Sequence, residues 1–394
     1  MNVRLSDRVQ RVKPSPTMAI TALAAELKAS GKPVIGLGAG EPDFDTPTHI
    51  KAAAVTAIEK GETKYTAVDG TRELKEAIRA KFQRDNSLTY DLDQILVSSG
   101  AKQTCFNVCQ ALLNDGDEAI IPAPYWVSYP DMVKLAGGEP VIVRADAEQN
   151  FKISPAQLAA AITDRSRLFI LNSPSNPSGM AYSQAELAAL GEVLRAHPHV
   201  TIATDDMYEL IYWGQDPFCS LVTACPDLYD RTVTINGVSK CYAMTGWRIG
   251  YAGGSRSLIG AMKKIQSQST SNPCTISQAA AAAALNGDQT CVAEMRSAFK
   301  DRHDYVVDAL NAVPGFACRS GDGTFYAFPD VTQAIAAKGL RDDTELTTLL
   351  LEQAEVAVVP GAAFGAPGHV RLSFACSMAT LQQAIARIAR VMGT

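Results

Sequence analysis

Residues 236–251 read Asn236-Gly-Val-Ser-Lys-Cys-Tyr-Ala-Met-Thr-Gly-Trp-Arg-Ile-Gly-Tyr251, and this stretch governs how the rest of the chain is understood. It sets one lysine, Lys240, between a strand-like run at residues 232–235 and a glycine-aromatic turn, with Arg248 eight residues on. An amine that attacks a carbonyl must be partly desolvated to lose its proton, and a lysine in a closed pocket meets that need. Arg248 adds a planar fork suited to phosphate. A lone Ser-Lys pair is ordinarily a solvated surface feature. Here Tyr242, Met244, Trp247, Ile249 and Tyr251 would form a costly exposed apolar patch if the segment lay on the surface, so Lys240 is expected in a pocket. The pair points to a lysine that condenses with a phosphorylated aldehyde.

The bulk numbers agree with an enzyme of two domains. The chain has 394 residues, 47% hydrophobic and 20% charged, a composition ordinary for a globular protein and long for a single small core. Its net charge of -5, with no dense basic block, argues against a nucleic-acid surface. Residues 1–13 alternate charged and apolar side chains and do not resemble a signal peptide. The alanine-rich run 279–285 falls far short of the roughly 20 residues that span a bilayer. Nine scattered cysteines fit free thiols in a reducing compartment, and no ligand pattern suggests a metal. A cytoplasmic, metal-free protein is expected.

From residue 33 onward, strand-like and helix-like segments alternate. Strands are expected at 33–37, 94–98, 118–121, 167–172, 200–204 and 232–235, and helices at 17–30, 71–82 and 102–113. Short apolar runs separated by helices suit a parallel sheet buried on both faces. The last third differs: a long polar helix at 290–312 precedes strand candidates at 315–318, 324–328 and 370–374, as in a smaller α+β domain.

Several motifs gather around this frame. Val97-Ser-Ser-Gly-Ala-Lys-Gln ends a strand and opens a helix, so the amides of Gly100, Ala101 and Lys102 would point at an anion. Asp205, in Thr204-Asp-Asp-Met-Tyr-Glu, falls at the C-terminal end of a strand, the edge where ligands of open α/β sheets gather. Asn172-Ser-Pro-Ser-Asn-Pro-Ser-Gly is a proline-rigid turn carrying Asn176. Pro122-Ala-Pro-Tyr-Trp-Val-Ser-Tyr offers Trp126, and Arg371 alternates with apolar neighbours on an expected strand. The phosphorylated aldehyde that such a lysine and phosphate cup accept is pyridoxal 5'-phosphate, and a buried carboxylate would keep its ring nitrogen protonated.

These motifs, in this order from Lys13 to Arg371, resemble the class I aminotransferases of fold type I. The resemblance implies an α/β fold: a large domain with a mostly parallel sheet flanked by helices, plus a smaller α+β domain. It divides the chain into an N-terminal segment, 1–47, packing on the small domain, a large cofactor-binding domain, 48–290, and a small domain, 291–394. It makes Lys240, Asp205 and Tyr208 catalytic, with Asp205 on the ring nitrogen and Tyr208 and Asn176 on the ring oxygen. Trp126 covers the ring; Gly100, Ala101, Lys102, Ser239 and Arg248 complete the cofactor site. Arg371 grips the substrate α-carboxylate, assisted by Gly40, Trp126 and Asn176. Tyr65 reaches the neighbouring subunit's cofactor phosphate, which implies a homodimer with active sites at the interface. Asp206 is expected to be solvated or structural.

The implied reaction is transamination between an amino acid and a 2-oxo acid. The overall pattern is most similar to bacterial aspartate aminotransferases of the subgroup that includes prephenate aminotransferases. Gln266-Ser-Gln-Ser-Thr-Ser-Asn-Pro lacks the arginine that another aspartate subgroup uses for the side-chain carboxylate, and Lys13 matches the N-terminal lysine of the dual aspartate–prephenate enzymes. Broad-specificity or aromatic and neutral amino-acid transfer is the alternative. Gly36-Leu-Gly-Ala-Gly is faintly similar to a dinucleotide-binding turn, which keeps a nicotinamide dehydrogenase as a remote rival. A ligand-binding transcription regulator would usually carry a fused basic helix-turn-helix segment, for which this chain is expected to have no room.

Overall fold

The computed structural model describes residues 3–12, 14 and 16–393. Its largest sheet has seven strands in the spatial order Ile95–Ser98, Gly250–Gly253, Thr232–Gly237, Thr201–Asp205, Ser166–Asn172, Glu118–Ala123 and Glu139–Arg144. The last five run parallel to one another, while Gly250–Gly253 is antiparallel to both of its neighbours. The central strands are buried throughout because helices cover both faces, so they read as continuous apolar runs rather than alternating ones. On one side Ala101–Leu112 and Arg256–Ser267 pack on each other; on the other, Thr48–Glu59 and Arg72–Asn86 pack against Thr275–Asn286. The last of these is the alanine-rich run, whose small side chains let neighbouring helices approach.

A second core lies beyond this sheet. The 22-residue helix Thr290–Asn311 and the C-terminal helix Met378–Met392 enclose an antiparallel sheet of Val359–Pro360, Val370–Ser373 and Tyr326–Ala327. Ile35–Gly36 pairs in parallel with Val356–Ala357, and the Ser373 amide donates to the Leu37 carbonyl at 2.7 Å. The segment after residue 34 is thereby sewn to this second core and then crosses to the large sheet.

The expected elements fall close to the observed ones, with four departures, the first being the strand expected at 33–37, which shortens to Ile35–Gly36. Residues 315–318 form only a single bridge, Ala317 to Asp330, because Gly315 turns the chain at φ +79°. The strand expected at 324–328 contracts to Tyr326–Ala327, since Thr324 has φ +71°. Gly250–Gly253, read as part of a turn, is instead a buried strand. Its glycines permit close approach on both sides: a Cβ on Gly250 would lie 2.1 Å from the Ala101 amide nitrogen, and one on Gly253 2.4 Å from the Tyr90 ring. The Gly36–Gly40 turn does not open a helix, and the next helix begins at Thr48, so the dinucleotide fingerprint lacks its helix.

Gly250 therefore sets how closely the strand after Arg248 lies against the loop before Ala101. Gly250→Ala must displace backbone rather than a side chain, and is expected to lower stability by about 2–3 kcal/mol. A loss of unfolding free energy in urea below a quarter of that size would show that the loop yields freely.

Candidate active site

Three adjacent parallel strands end at one cavity of about 450 Å³, lined by Asn172, Asp205, Ser239 and Lys240 from their carboxyl ends. Asn172 and Asp205 are register partners, and the Asn172 Nδ2 donates to the Asp205 carbonyl at 2.8 Å. The far wall belongs to the second core, with Arg371 and Tyr326, and the floor to residues 39–41. Of the expected residues, Gly40, Ala101, Lys102, Trp126, Asn176, Asp205, Tyr208, Ser239, Lys240, Arg248 and Arg371 all line this one cavity, and Gly100 adjoins it beside Arg248.

Lys240 follows the strand Thr232–Gly237, and its Nζ donates to the Gly40 carbonyl at 2.6 Å. Burial lowers its pKa to about 8, and the charges of Arg371 and Arg248 push the same way, against Glu41 and Asp205. The loop after it is held open by residues with left-handed backbone, Ala243 at φ +50° and Arg248 at φ +57°. Thr46 pins this loop by donating to the Ala243 carbonyl at 2.6 Å while accepting from Trp247 Nε1 at 3.0 Å.

Asp205 is the last residue of its strand and is buried. Tyr129 Oη donates to its Oδ2 at 2.5 Å and the Met207 amide to its Oδ1 at 3.3 Å. Burial raises this carboxyl, and the Tyr129 and Met207 hydrogen bonds and the Lys240 charge oppose that rise. Asp206 is not solvated. It is 2% exposed on the opposite side of the chain, with its carboxyl raised well above the usual range by burial and by Glu209.

Of the three amides expected at an anion, that of Gly100 instead donates to the Ser98 carbonyl at 2.7 Å, leaving those of Ala101 and Lys102. Gly100, at φ +86°, precedes the helix Ala101–Leu112, whose first-turn amides have no carbonyl partner within the helix. A Cβ at Gly100 would fall 2.3 Å from the Arg248 guanidinium, so only glycine leaves space between the amides and that fork. Arg248 itself is braced by donating to the Thr245 carbonyl at 2.8 Å.

Arg371 is buried rather than half-buried as its alternation suggested. Its Nη1 donates to Asn176 Oδ1 at 2.9 Å and its Nη2 to the Gly38 carbonyl at 2.7 Å. It lies 4.4 Å from the Tyr326 ring centre and 4.9 Å from that of Phe364. Its Nε has no partner among the described residues. A buried guanidinium paired only with neutral groups is a standing demand for an anion.

Tyr208 and Tyr326 share a hydrogen bond at 2.9 Å between their hydroxyls. Tyr326 and Tyr129 were not singled out from sequence, although Tyr129 follows Trp126 at helical spacing within the same octet. The Lys102 side chain was also missed, because only its amide was considered. Its Nζ sits 5.0 Å from the Trp126 ring centre, and burial with the nearby Arg248 charge lowers its pKa. One expected residue does not line this cavity, Tyr65, which is 92% exposed; Lys13 lies outside the described residues.

Residues 32–388 match the family model described as aminotransferase class I and II. The chain is 58% identical to an aspartate/prephenate aminotransferase of Nitrosomonas europaea, over 99% of this chain and 100% of that one. Among solved structures it superposes on an aspartate aminotransferase from Rhizobium meliloti with TM-score 0.96 at 52% identity, covering 99% of each chain. It superposes on that of Thermus thermophilus with maleate with TM-score 0.93 at 41% identity, covering 99% of this chain and 100% of that one.

With a folded pKa near 8 against 10.5 for an ordinary lysine, Lys240 gives up its proton where the unfolded chain still holds one. Its desolvation penalty is thus full below pH 8 and fades between 8 and 10.5. In cofactor-free protein, acylation by an amine-selective reagent should show a fast phase that rises through pH 8 and disappears in Lys240→Ala. A Lys240 profile that rises only near pH 10.5 would refute the buried-amine assignment.

Proposed function

The chain belongs to the class I and II aminotransferases, with their fold type I architecture, and on that premise we propose that it transfers the amino group of aspartate to 2-oxoglutarate using pyridoxal 5'-phosphate. Prephenate is the second acceptor the reading includes. The working unit is a homodimer, the compartment the cytoplasm, and the chain divides into a segment 1–47, a large domain 48–290 and a small domain 291–394. Among the described residues no helix is long and apolar enough to cross a membrane.

The residues fit the cofactor on their own chemistry. The space at Gly100, the Ala101 and Lys102 amides and the Arg248 fork suit a phosphate; the buried Asp205 carboxylate suits a ring cation; Trp126 offers a flat face. When bound, pyridoxal phosphate supplies an electrophilic carbon for an amine and a cationic ring that accepts electron density from the substrate α-carbon. Asp205 holds a proton at the ring nitrogen, and Tyr129 holds Asp205 in place. Tyr208 and Asn176, both on the cavity, would donate to the ring oxygen. Lys240, half-deprotonated at about pH 8, would hold the cofactor and, when freed by substrate, would carry the proton to and from the substrate Cα. Arg371 binds the α-carboxylate and turns the Cα–H bond toward Lys240.

The observation that favours a dicarboxylic substrate is Lys102. It is a partly buried cation on the same cavity as Arg371, held against Trp126 and unpaired with any carboxylate among the described residues. A side-chain carboxylate would relieve it. Lys13, at the chain's N-terminal end, is the other candidate cation. Tyr65, exposed as are Val55 and Ile58, is the residue offered to a partner copy and its cofactor phosphate.

Loaded with pyridoxal phosphate, the protein should be yellow and should transaminate aspartate. Borohydride reduction and peptide mapping should place the label on Lys240; a label on Lys102 or Lys264 would sink the assignment. Asp205→Asn should retain the cofactor yet lose on the order of 3–4 kcal/mol of transition-state stabilisation, read as a fall in kcat.

Substrate choice is tested by Lys102→Ala and Lys13→Ala over a panel of amino and keto acids. Removing the cation that faces the side-chain carboxylate should cost about 2–4 kcal/mol in kcat/KM for aspartate and leave alanine nearly unchanged. Prephenate should lose at least as much as oxaloacetate. Equal losses for alanine and aspartate would make the substituted lysine structural, and no loss for either substrate in both variants would favour the broad-specificity reading.

A further inference from the structure

Behind the cavity, on the side away from the cofactor cup, lies a charged network that the reaction as described does not use. Lys81, on the helix Arg72–Asn86, has a side chain 1% exposed, and it meets the Glu209 carboxylate, 3% exposed. Lys81 Nζ also donates to Asn86 Oδ1 at 2.8 Å, and Asp85 lies 3.8 Å away. Glu209 is fully engaged. Its Oε1 accepts from Lys81 and from Asn236 Nδ2 at 2.8 Å, and its Oε2 accepts from Asn86 Nδ2 at 2.7 Å.

The network's position in the chain matters more than its charge. Glu209 directly follows Tyr208, in the turn that starts at Asp205, with its amide bonded to the Asp206 carbonyl at 3.0 Å. Asn236 is in the last strand before Lys240, and its Oδ1 accepts from the Gly237 amide at 2.7 Å. One carboxylate therefore joins the turn bearing Asp205 and Tyr208 to the strand end bearing Lys240. The last backbone bond between the two segments runs from the Asp206 amide to the Ile235 carbonyl at 3.0 Å, and past it the Asn236–Glu209 hydrogen bond ties the turn to the strand end.

A buried ion pair is a poor device for stability alone, because an apolar cluster of equal volume is often as stable or more so. An apolar cluster does not fix direction, whereas the four hydrogen bonds converging on Glu209 and Lys81 do. We propose that Glu209 is a positioning residue, which holds Lys240 in register with Asp205 and Tyr208 through Asn236, with Lys81 as its buried counter-charge. The proposal rests on the transamination reading for its kinetic consequence, but not for its effect on the Lys240 amine.

Asn236→Ala cuts the strut while leaving the Lys81–Glu209 pair intact. Lys81→Met/Glu209→Leu removes both charges together and keeps the volume filled. In each, full-length protein is examined twice: cofactor-free, for the pH midpoint of Lys240 acylation, and loaded with pyridoxal phosphate, for kcat and KM with aspartate. The expected result is a midpoint raised from about 8 by a unit or more as Lys240 relaxes from its place, with kcat lowered at least tenfold and KM changed less than threefold. Unchanged midpoint and kcat within twofold of the parent, in a variant that folds, would overturn the proposal and leave the network purely structural. If the double variant does not fold, Asn236→Ala alone decides. Should the parent protein lack transaminase activity altogether, the functional reading fails, and the acylation midpoint still tests the positioning role.

Discussion

The structure is organised around the burial of one amine. A lysine becomes a nucleophile near neutral pH only when water is removed from it, and removing that water costs free energy that the rest of the fold must offset. Lys240 is placed where the cost is shared. Its Nζ keeps one strong acceptor in the Gly40 carbonyl, Arg371 and Arg248 disfavour its charge, and Glu41 and Asp205 moderate the effect. No single element could supply this setting. It arises because three neighbouring parallel strands end on one line, about 4.8 Å apart, and deliver Asn172, Asp205 and the Lys240 loop side by side.

The opposite wall obeys the same logic with the sign of the demand reversed. Arg371 is buried in a three-stranded sheet and held by Asn176, the Gly38 carbonyl and two aromatic faces. These partners fix its direction without neutralising it. Asn176 comes from the large sheet's side and Gly38 from the segment that joins the two cores, so the guanidinium is fixed by all three parts of the chain at once. Its unpartnered Nε measures what the protein leaves for a ligand to satisfy. A site built this way sets aside binding energy for an anion that arrives, at the cost of stability while it is absent.

Much of this was legible in the sequence, and the reason is specific. The residues around Lys240, Asp205 and Asn176 sit at strand ends, where apolar periodicity stops and turn chemistry begins, so their places could be read from local pattern alone. Gly100 and Arg248 were legible for the same reason. The strand Gly250–Gly253 was not, because glycine carries no burial signal; its role shows only when Ala101 and Tyr90 are seen against it. Nor was Tyr326, whose strand of two residues is too short for alternation to register, or the network on Glu209, which joins positions 123 and 128 residues apart. The Lys102 side chain escaped because the same residue already had a backbone role, and one reading hid the other.

Charge balance in the cavity carries the argument about ligands one step further. Lys102, Lys240, Arg248 and Arg371 line it against Glu41 and Asp205, an excess of two positive charges with every group ionised. A phosphate of charge about -1.5 to -2 consumes most of that excess at the Arg248 end. A ring cation would pair with Asp205, and Lys240, its pKa lowered to about 8, gives up its positive charge above that pH. What remains unpaired is Arg371 on one wall and Lys102 on the other. A monocarboxylate meets only the first and leaves Lys102 a partly desolvated cation resting on Trp126. A substrate with two carboxylates meets both. The phosphate and a dicarboxylic acid together thus leave neither Arg371 nor Lys102 without a counter-charge, and low-dielectric sites favour the occupant that leaves no charge alone.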